Sequence, residues 1–222
     1  MSAETTTNPG PGLRERKKQQ TRLHIAETAR RLFGDRGFDA VTVGEVARAA
    51  DVSEKTVFNY FPTKEDLFYS GMEAFEEHLL AAIRGREPGE SVLLAFRRFV
   101  LEPQGVFAMK GSAHELRRRL EGTTRVIAES PALRAREREV LARYTDALAD
   151  LIAQDTGAAA EDVEPFVVAH ALLGVHRALI AFVRGRVLSG APVTRIAGDL
   201  RAQAERALGL LEEGLGDYAV RR

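Results

Sequence analysis

The sequence predicts an all-α protein: a small N-terminal three-helix unit followed by a larger helical domain. Apolar residues recur at helical spacing from Ile25 to Leu215. Capping residues and breakers cut that pattern into short helices at first and longer ones later. No segment shows the strict alternation of a half-buried strand, and no internal repeat is present.

The elements follow in order. Ile25, Ala29, Leu32 and Phe33 stand at i, i+4, i+7 and i+8, and Gly37 ends that helix as a C′ residue. Ahead of it, MSAETTTNPGPG lacks the charged start and apolar stretch of a signal peptide. Five cations lie between Arg14 and Arg22 against Glu15 alone, so residues 1–18 are expected to be a disordered basic tail. Thr42-Val-Gly-Glu45 matches a capping box and opens a short helix with Val46, Ala47 and Ala50 inward. Asp51-Val52 breaks it, and Ser53 caps the next helix, from Glu54 to about Phe61. Pro62 stops that helix, and Thr63 caps one expected to run unbroken from Lys64 to about Arg84. Its inner face would carry Leu67, Phe68, Met72, Phe75, Leu79 and Ile83.

Later stripes are Leu93-Phe96-Val100 and Leu116-Leu120-Thr123-Ile127, separated by an irregular stretch from Glu102 to Lys110. Ser130-Pro131 opens a helix whose inner face is Leu133, Val140, Leu141, Tyr144, Leu148 and Ile152. After a break at Asp155–Gly157, Phe166 to Arg186 is apolar almost all round and is expected to be buried. Gly190-Ala-Pro192 turns into a last helix through about Leu215. The implied division is 19–66 for the first unit and 67–222 for the second.

Composition excludes several classes. The chain has 222 residues, 45% hydrophobic and 29% charged, with 32 basic and 32 acidic side chains. Total charge therefore points to no partner, although residues 1–64 hold 11 basic against 8 acidic groups. The absence of cysteine excludes a disulfide framework and thiolate chemistry. No apolar run reaches the ~18 residues expected of a membrane span, so a cytoplasmic location and no membrane partner are expected. A P-loop, a dinucleotide-binding glycine fingerprint, H-E-x-x-H and G-x-S-x-G are all missing. His170 and His176 are six apart, on different faces of one helix. The expectation is no enzyme, no metal and no cofactor.

Val46 to Tyr60 has the geometry of a helix-turn-helix. Ala47 is small at the helix crossing, Val52 plugs the turn, and Val46, Ala50 and Val57 fill the angle between the helices. The first turn position needs φ > 0, and Asp51 tolerates that region better than most residues. In VSEKTVFNYFPTKEDLF, Val57 and Phe61 point inward. Ser53, Lys55, Thr56, Phe58, Asn59 and Tyr60 are left at the tip. Asn reads adenine bidentately, and Thr or an aromatic ring meets a thymine methyl.

From Ile25 to Phe68 the sequence resembles the DNA-binding domain of the tetracycline-repressor (TetR) family. Phe33, Gly37-Phe38, Thr42-Val43 and Val46-Ala47 match, and so does VSEKTVFNYFPTKEDLF against the usual G-V-S-x-G-T-L-Y-x-Y-F-x-x-K-x-x-L. Asp51 replaces the first Gly, Lys55 the second, and Phe58 the usual Tyr. The resemblance implies a recognition helix for the major groove, Lys64 as a phosphate clamp, and Thr42 as a contact to the other strand. The Arg14–Arg22 cations would track the DNA backbone or reach into a minor groove. Family habit also implies a homodimer on a palindromic operator and repression relieved by a small-molecule effector.

In the second domain, Ala171, Gly174, Ala178, Ala181 and Gly185 form a small-residue stripe that permits close helix approach. Leu200, Ala204 and Leu211 lie in a near-heptad pattern on the last helix. Both stripes are expected in the dimer interface. Polar and aromatic groups breaking the apolar pattern mark candidate effector contacts: Leu79, Phe107, Met109, His114, Tyr144, Phe166, His170, Leu173 and Arg177. The Lys64–Arg84 helix, about 30 Å long at ~1.5 Å per residue, is expected to act as the lever between effector and DNA.

Overall fold

The computed structural model of the chain describes residues 12–70, 72–103, 105–108 and 111–220. Among them are ten α-helices, one 3₁₀ turn (Gly105–Ala108) and no strand. In chain order the helices are α1 Leu13–Arg36, α2 Val43–Ala49, α3 Glu54–Tyr60, α4 Lys64–Phe68, α5 Met72–Arg84, α6 Val92–Leu101, α7 Ala113–Glu129, α8 Pro131–Thr156, α9 Glu164–Leu188 and α10 Val193–Leu215. They form two compact units that divide after Ser70, four residues beyond the expected boundary.

In the first unit α1 packs on α2 and α4, and α2 packs on α3. Ile25, Ala29, Phe33, Val41, Val46, Ala47, Val57, Phe61 and Leu67 are buried between them. The rings of Phe33, Phe38 and Phe68 meet with centroids 5.1–6.0 Å apart. α1 begins at Leu13, with Gly12 at its N-cap. The expected disordered tail is therefore helical from residue 13 to 18, and its residues 1–11 lie outside the described residues. Leu, Arg, Glu, Lys and Gln are good helix formers whatever their charge, so propensity prevails over the charge run.

The expected unbroken helix from Lys64 to Arg84 is two helices. α4 ends at a cap on Tyr69, whose N–H donates to the Glu65 carbonyl at 2.9 Å. The Tyr69 ring is buried and meets Phe68 edge-on at 5.0 Å. Leu67, Phe68 and Tyr69 all turn apolar surface inward, and three consecutive positions of a straight helix cannot face one core.

In the second unit α8 and α9 pack along their lengths. α9 also meets α6, α7 and α10, and α6 lies against α5 and α10. Leu79, Ile83, Phe96, Leu148, Ile152, Leu172 and Leu208 are nearly inaccessible. Each such side chain contributes roughly 1.5–3 kcal/mol of burial free energy. The buried Arg86 ties the far ends together, donating to the Ile83 carbonyl at 2.8 Å, Asp155 Oδ2 at 2.7 Å and the Ala219 carbonyl at 3.1 Å. On α7, Thr124 rather than Thr123 faces inward.

The expectation that α9 is buried all round fails on one side. Phe166, Val167, His170, Gly174, Arg177, Ala178, Ala181, Gly185 and Leu188 are exposed and repeat every three to four residues, forming one continuous face. By length and composition α9 is also apolar enough to cross a membrane, contrary to the expectation that no segment is. Its packing against α6, α7, α8 and α10 is that of a core helix.

Candidate nucleic-acid interface

Three interlocking caps build the helix-turn-helix. Thr42 and Glu45 form the capping box. Glu45 N–H donates to Thr42 Oγ1 at 3.2 Å, and Thr42 N–H donates to Glu45 Oε2 at 2.8 Å. Arg36 at the end of α1 pairs with the same carboxylate at 2.8 Å. The Thr42 amide, and then the Arg36 guanidinium, hold the Glu45 pKa down at about 2. One carboxylate thus fixes the start of α2 against the end of α1.

The turn follows. Asp51 adopts φ 53°, as the missing Gly requires, and Val52 N–H reaches back to the Ala47 carbonyl at 3.0 Å. Val52 is half-buried beneath the turn. Ser53 Oγ accepts from Thr56 N–H at 3.0 Å, and the Ser53 and Thr56 hydroxyls lie 2.8 Å apart. Gly44 on α2 leaves room for the Glu54 side chain of α3: a Cβ there would stand 2.6 Å from Glu54 Oε1.

α3 then divides by burial. Val57 and Phe61 are 1% and 2% exposed, whereas Phe58 is 47% exposed. Ser53, Lys55 and Asn59 are open to solvent, and Thr56 and Tyr60 are half-buried. Apolar Phe58 at the tip has no packing reason to face water, and its flat ring suits a base methyl or sugar. Phe61 carries the Arg22 guanidinium 5.1 Å above its ring, so α1's cationic face is fastened to the end of α3.

Thr63 and Asp66 cap α4 reciprocally, with Asp66 N–H on Thr63 Oγ1 at 3.0 Å and Thr63 N–H on Asp66 Oδ2 at 3.2 Å. This places Lys64 in the first turn, half-buried, its ammonium 4.2 Å from the Phe38 ring centre and 5.8 Å from that of Phe33. Burial pushes its pKa below the usual lysine value, opposed by Asp39. Lys64 is thus held in place by aromatic faces.

Of the candidate effector residues, only Leu79, Tyr144 and Leu173 share one core cluster among the described residues. Leu79, Tyr144 and Leu173 are core residues, each 1% exposed. Phe166, His170 and Arg177 stand on the outer face of α9, with the Phe166 and His170 rings 4.0 Å apart. His114 is exposed in the first turn of α7, Phe107 is half-buried on the 3₁₀ turn, and Met109 lies outside the described residues. A polar cleft of about 680 Å³ opens between Arg84, Arg86, Asp155, Thr156 and Asp217, and none of the candidates lines it. Of the candidate dimer residues, Gly174, Ala178 and Ala181 are exposed and Ala171 is half-buried. Ala204 is buried in the chain's own core, and Leu200 and Leu211 are half-buried against it.

His176, set aside in the sequence as a metal ligand, is half-buried and stacks on Phe75 with centroids 4.5 Å apart and planes 24° apart, and Phe75 in turn meets Phe99 and Tyr144. Burial lowers the His176 pKa to about 4, against an opposing pull from Glu137.

Comparison with known proteins agrees with this geometry. The model for bacterial regulatory proteins of the tetR family matches residues 25–70, and that for the MftR C-terminal domain matches residues 90–216. The chain is 38% identical over 94 residues to the transcriptional regulator TcmR of Streptomyces glaucescens, covering 42% of this chain and 41% of TcmR. It is 27% identical over 167 residues to MftR of Mycobacterium tuberculosis, a regulator named for mycofactocin biosynthesis, covering 72% of this chain and 78% of MftR. Among solved structures, NalD of Pseudomonas aeruginosa shares the fold with a TM-score of 0.53 at 23% identity, over 89% of this chain and 98% of NalD. Salmonella enterica GusR does so at 0.52 and 19%, over 89% and 96%. With one model on the helix-turn-helix and the other on more than half of the chain, this protein belongs to the TetR family of DNA-binding transcriptional regulators.

Proposed function

We propose that the protein is a homodimeric, ligand-responsive repressor that binds a near-palindromic operator in the cytoplasm and is released by a small-molecule effector. Lys55, Thr56, Phe58, Asn59 and Tyr60 meet the major groove. Ser53, Thr42 and Lys64 contact phosphates on either side. The observation that carries the reading is the outward side of α3, where an exposed aromatic, an amide and a cation share one capped helix.

Dimerisation rests on the outer face of α9. It exposes Phe166, Val167 and Leu188 at 50%, 57% and 66%. A Cβ at Gly174 or Gly185 would meet nothing of its own chain within 4 Å, so packing within the protomer does not demand small residues there. A second copy supplies the reason, and a two-fold dimer matches a two-fold operator. Leu210 on α10 is a further large apolar side chain left in the open, 85% exposed. Effector binding is assigned to the second unit, where the rings of Phe99, Tyr144 and the half-buried His176 gather around Phe75.

The test is a gel-shift and light-scattering pair on the full chain. The reading expects a dimer at micromolar concentration that retards one enriched duplex far more than random DNA. A monomer, or equal retardation of both, would overturn it.

A further inference from the structure

The joint between α2 and α3 specifies one base of the operator, on the reading that α3 meets the major groove. Gly44 stands in the first turn of α2, half-buried, and a Cβ there would lie 2.6 Å from Glu54 Oε1 and 3.3 Å from Glu54 Cδ. The Gly44 φ is not positive, so the backbone does not require glycine at this point. Glycine also weakens a helix relative to alanine through its backbone entropy. What the missing Cβ supplies is room for the Glu54 carboxylate.

Glu54 is exposed, and Phe58, four residues on, is 47% exposed. Residues four apart share a helix face, so the carboxylate stands on the same face as the ring assigned to the groove. Lys55 and Asn59 form the neighbouring exposed pair. No ion pair among the described residues holds the Glu54 carboxylate, not even one with Lys55 beside it. Phosphates repel an anion on such a face, and only a donor on a base edge compensates it. In the major groove the donors are the cytosine N4 and adenine N6 amines, whereas guanine and thymine present acceptors. Adenine sets its N7 acceptor beside the amine, where a carboxylate, which only accepts, is repelled. Cytosine presents the amine without that neighbour.

We propose that Glu54 reads a cytosine in each half-site, accepting from its N4 amine, and that Gly44 positions the carboxylate by leaving the space of a Cβ open. Preference at this base pair comes from rejection of the other bases as much as from the bond to cytosine.

The test is selection from a random duplex pool by the full chain, as wild type, Glu54→Gln and Gly44→Ala, followed by titration of the selected duplex and its single-base variants. On the wild type, exchanging this cytosine for any other base should weaken binding about tenfold. Glutamine carries a donor beside its acceptor and pairs with adenine N6 and N7. Glu54→Gln should therefore move the preference from cytosine to adenine at one symmetric pair of positions. Gly44→Ala keeps the charge but drives Oε1 from its place, so preference should fall several-fold at the same pair and nowhere else. Alanine favours the helix, so this variant should melt no lower than the wild type. An acid that only complements the start of α3 predicts otherwise: Glu54→Gln lowers the melting temperature and leaves the motif unchanged. That outcome, a base other than cytosine at the pair that Glu54→Gln alters, or an unaltered motif for Gly44→Ala would each overturn the proposal. A wild type that enriches no motif overturns the wider reading together with this one. A motif that Asn59→Ala relaxes and Glu54→Gln leaves intact costs only the assignment of cytosine to Glu54.

Discussion

Lys64 has two jobs that mutation can separate. Its ammonium is seated on Phe38 and Phe33, so Lys64→Ala should cost about 0.5–1 kcal/mol of stability, read by chemical unfolding. It should also weaken binding to every duplex and flatten the salt dependence by about one unit of log–log slope. Asn59 touches none of the core, and Asn59→Ala should instead relax preference at one base position by about 1–3 kcal/mol. Equal loss on specific and random DNA for both variants would refute the division into phosphate and base contacts. Two acid titrations belong to this scale as well. Glu45 has a folded pKa of about 2, below its ordinary 4.5, so its contribution is present above about 4.5 and is lost as pH falls from there towards 2. His176 is a base whose folded pKa, about 4, lies below its ordinary 6.5. The unfolded chain therefore takes up that proton first, and stability falls as pH drops from 6.5 to 4, then levels off. His176→Phe should remove the upper phase and Glu45→Gln the lower one, as measured by melting temperature against pH.

At the scale of the element, local chemistry was the legible part. Thr42, Ser53 and Thr63 announce their helices because a cap is a contact between residues three apart, and all three caps are present. The positive φ at Asp51 was readable for the same reason, since a three-residue turn leaves no alternative. Facing was less legible. α9 is apolar on nearly every side, so periodicity could not say that Phe166, His170 and Arg177 look outward while His176 looks towards Phe75. Nor did the heptad on α10 reveal that Ala204 is buried in the chain's own core while Leu200 and Leu211 are half-buried against it, because a stripe bound for its own core and one bound for a partner have the same spacing. The break after Phe68 was hidden because burial of the Tyr69 ring, 7% exposed, cannot be read from spacing along the chain. The expected single rod from Lys64 to Arg84 is therefore two helices, α4 and α5. The outer face of α9 carries its own prediction. Replacing Gly174 and Ala178 with Leu fills open space in the protomer, so melting should change little while light scattering falls from dimer to monomer. A dimer that survives both changes would place the seam elsewhere.

At the scale of the whole molecule, a two-fold pair of reading heads doubles the contacts of one at a fixed spacing. The most direct measurement is selection of bound duplexes from a random pool by the full-length protein, followed by sequencing. A dimer carrying α3 on each copy should enrich one near-palindrome whose half-site centres lie about 34–36 Å apart, or wider where two dimers share the site. The Asn59→Ala protein should enrich the same palindrome with one symmetric pair of positions relaxed. An unsymmetric motif, or no enrichment over random DNA, would contradict a dimer that reads sequence through α3.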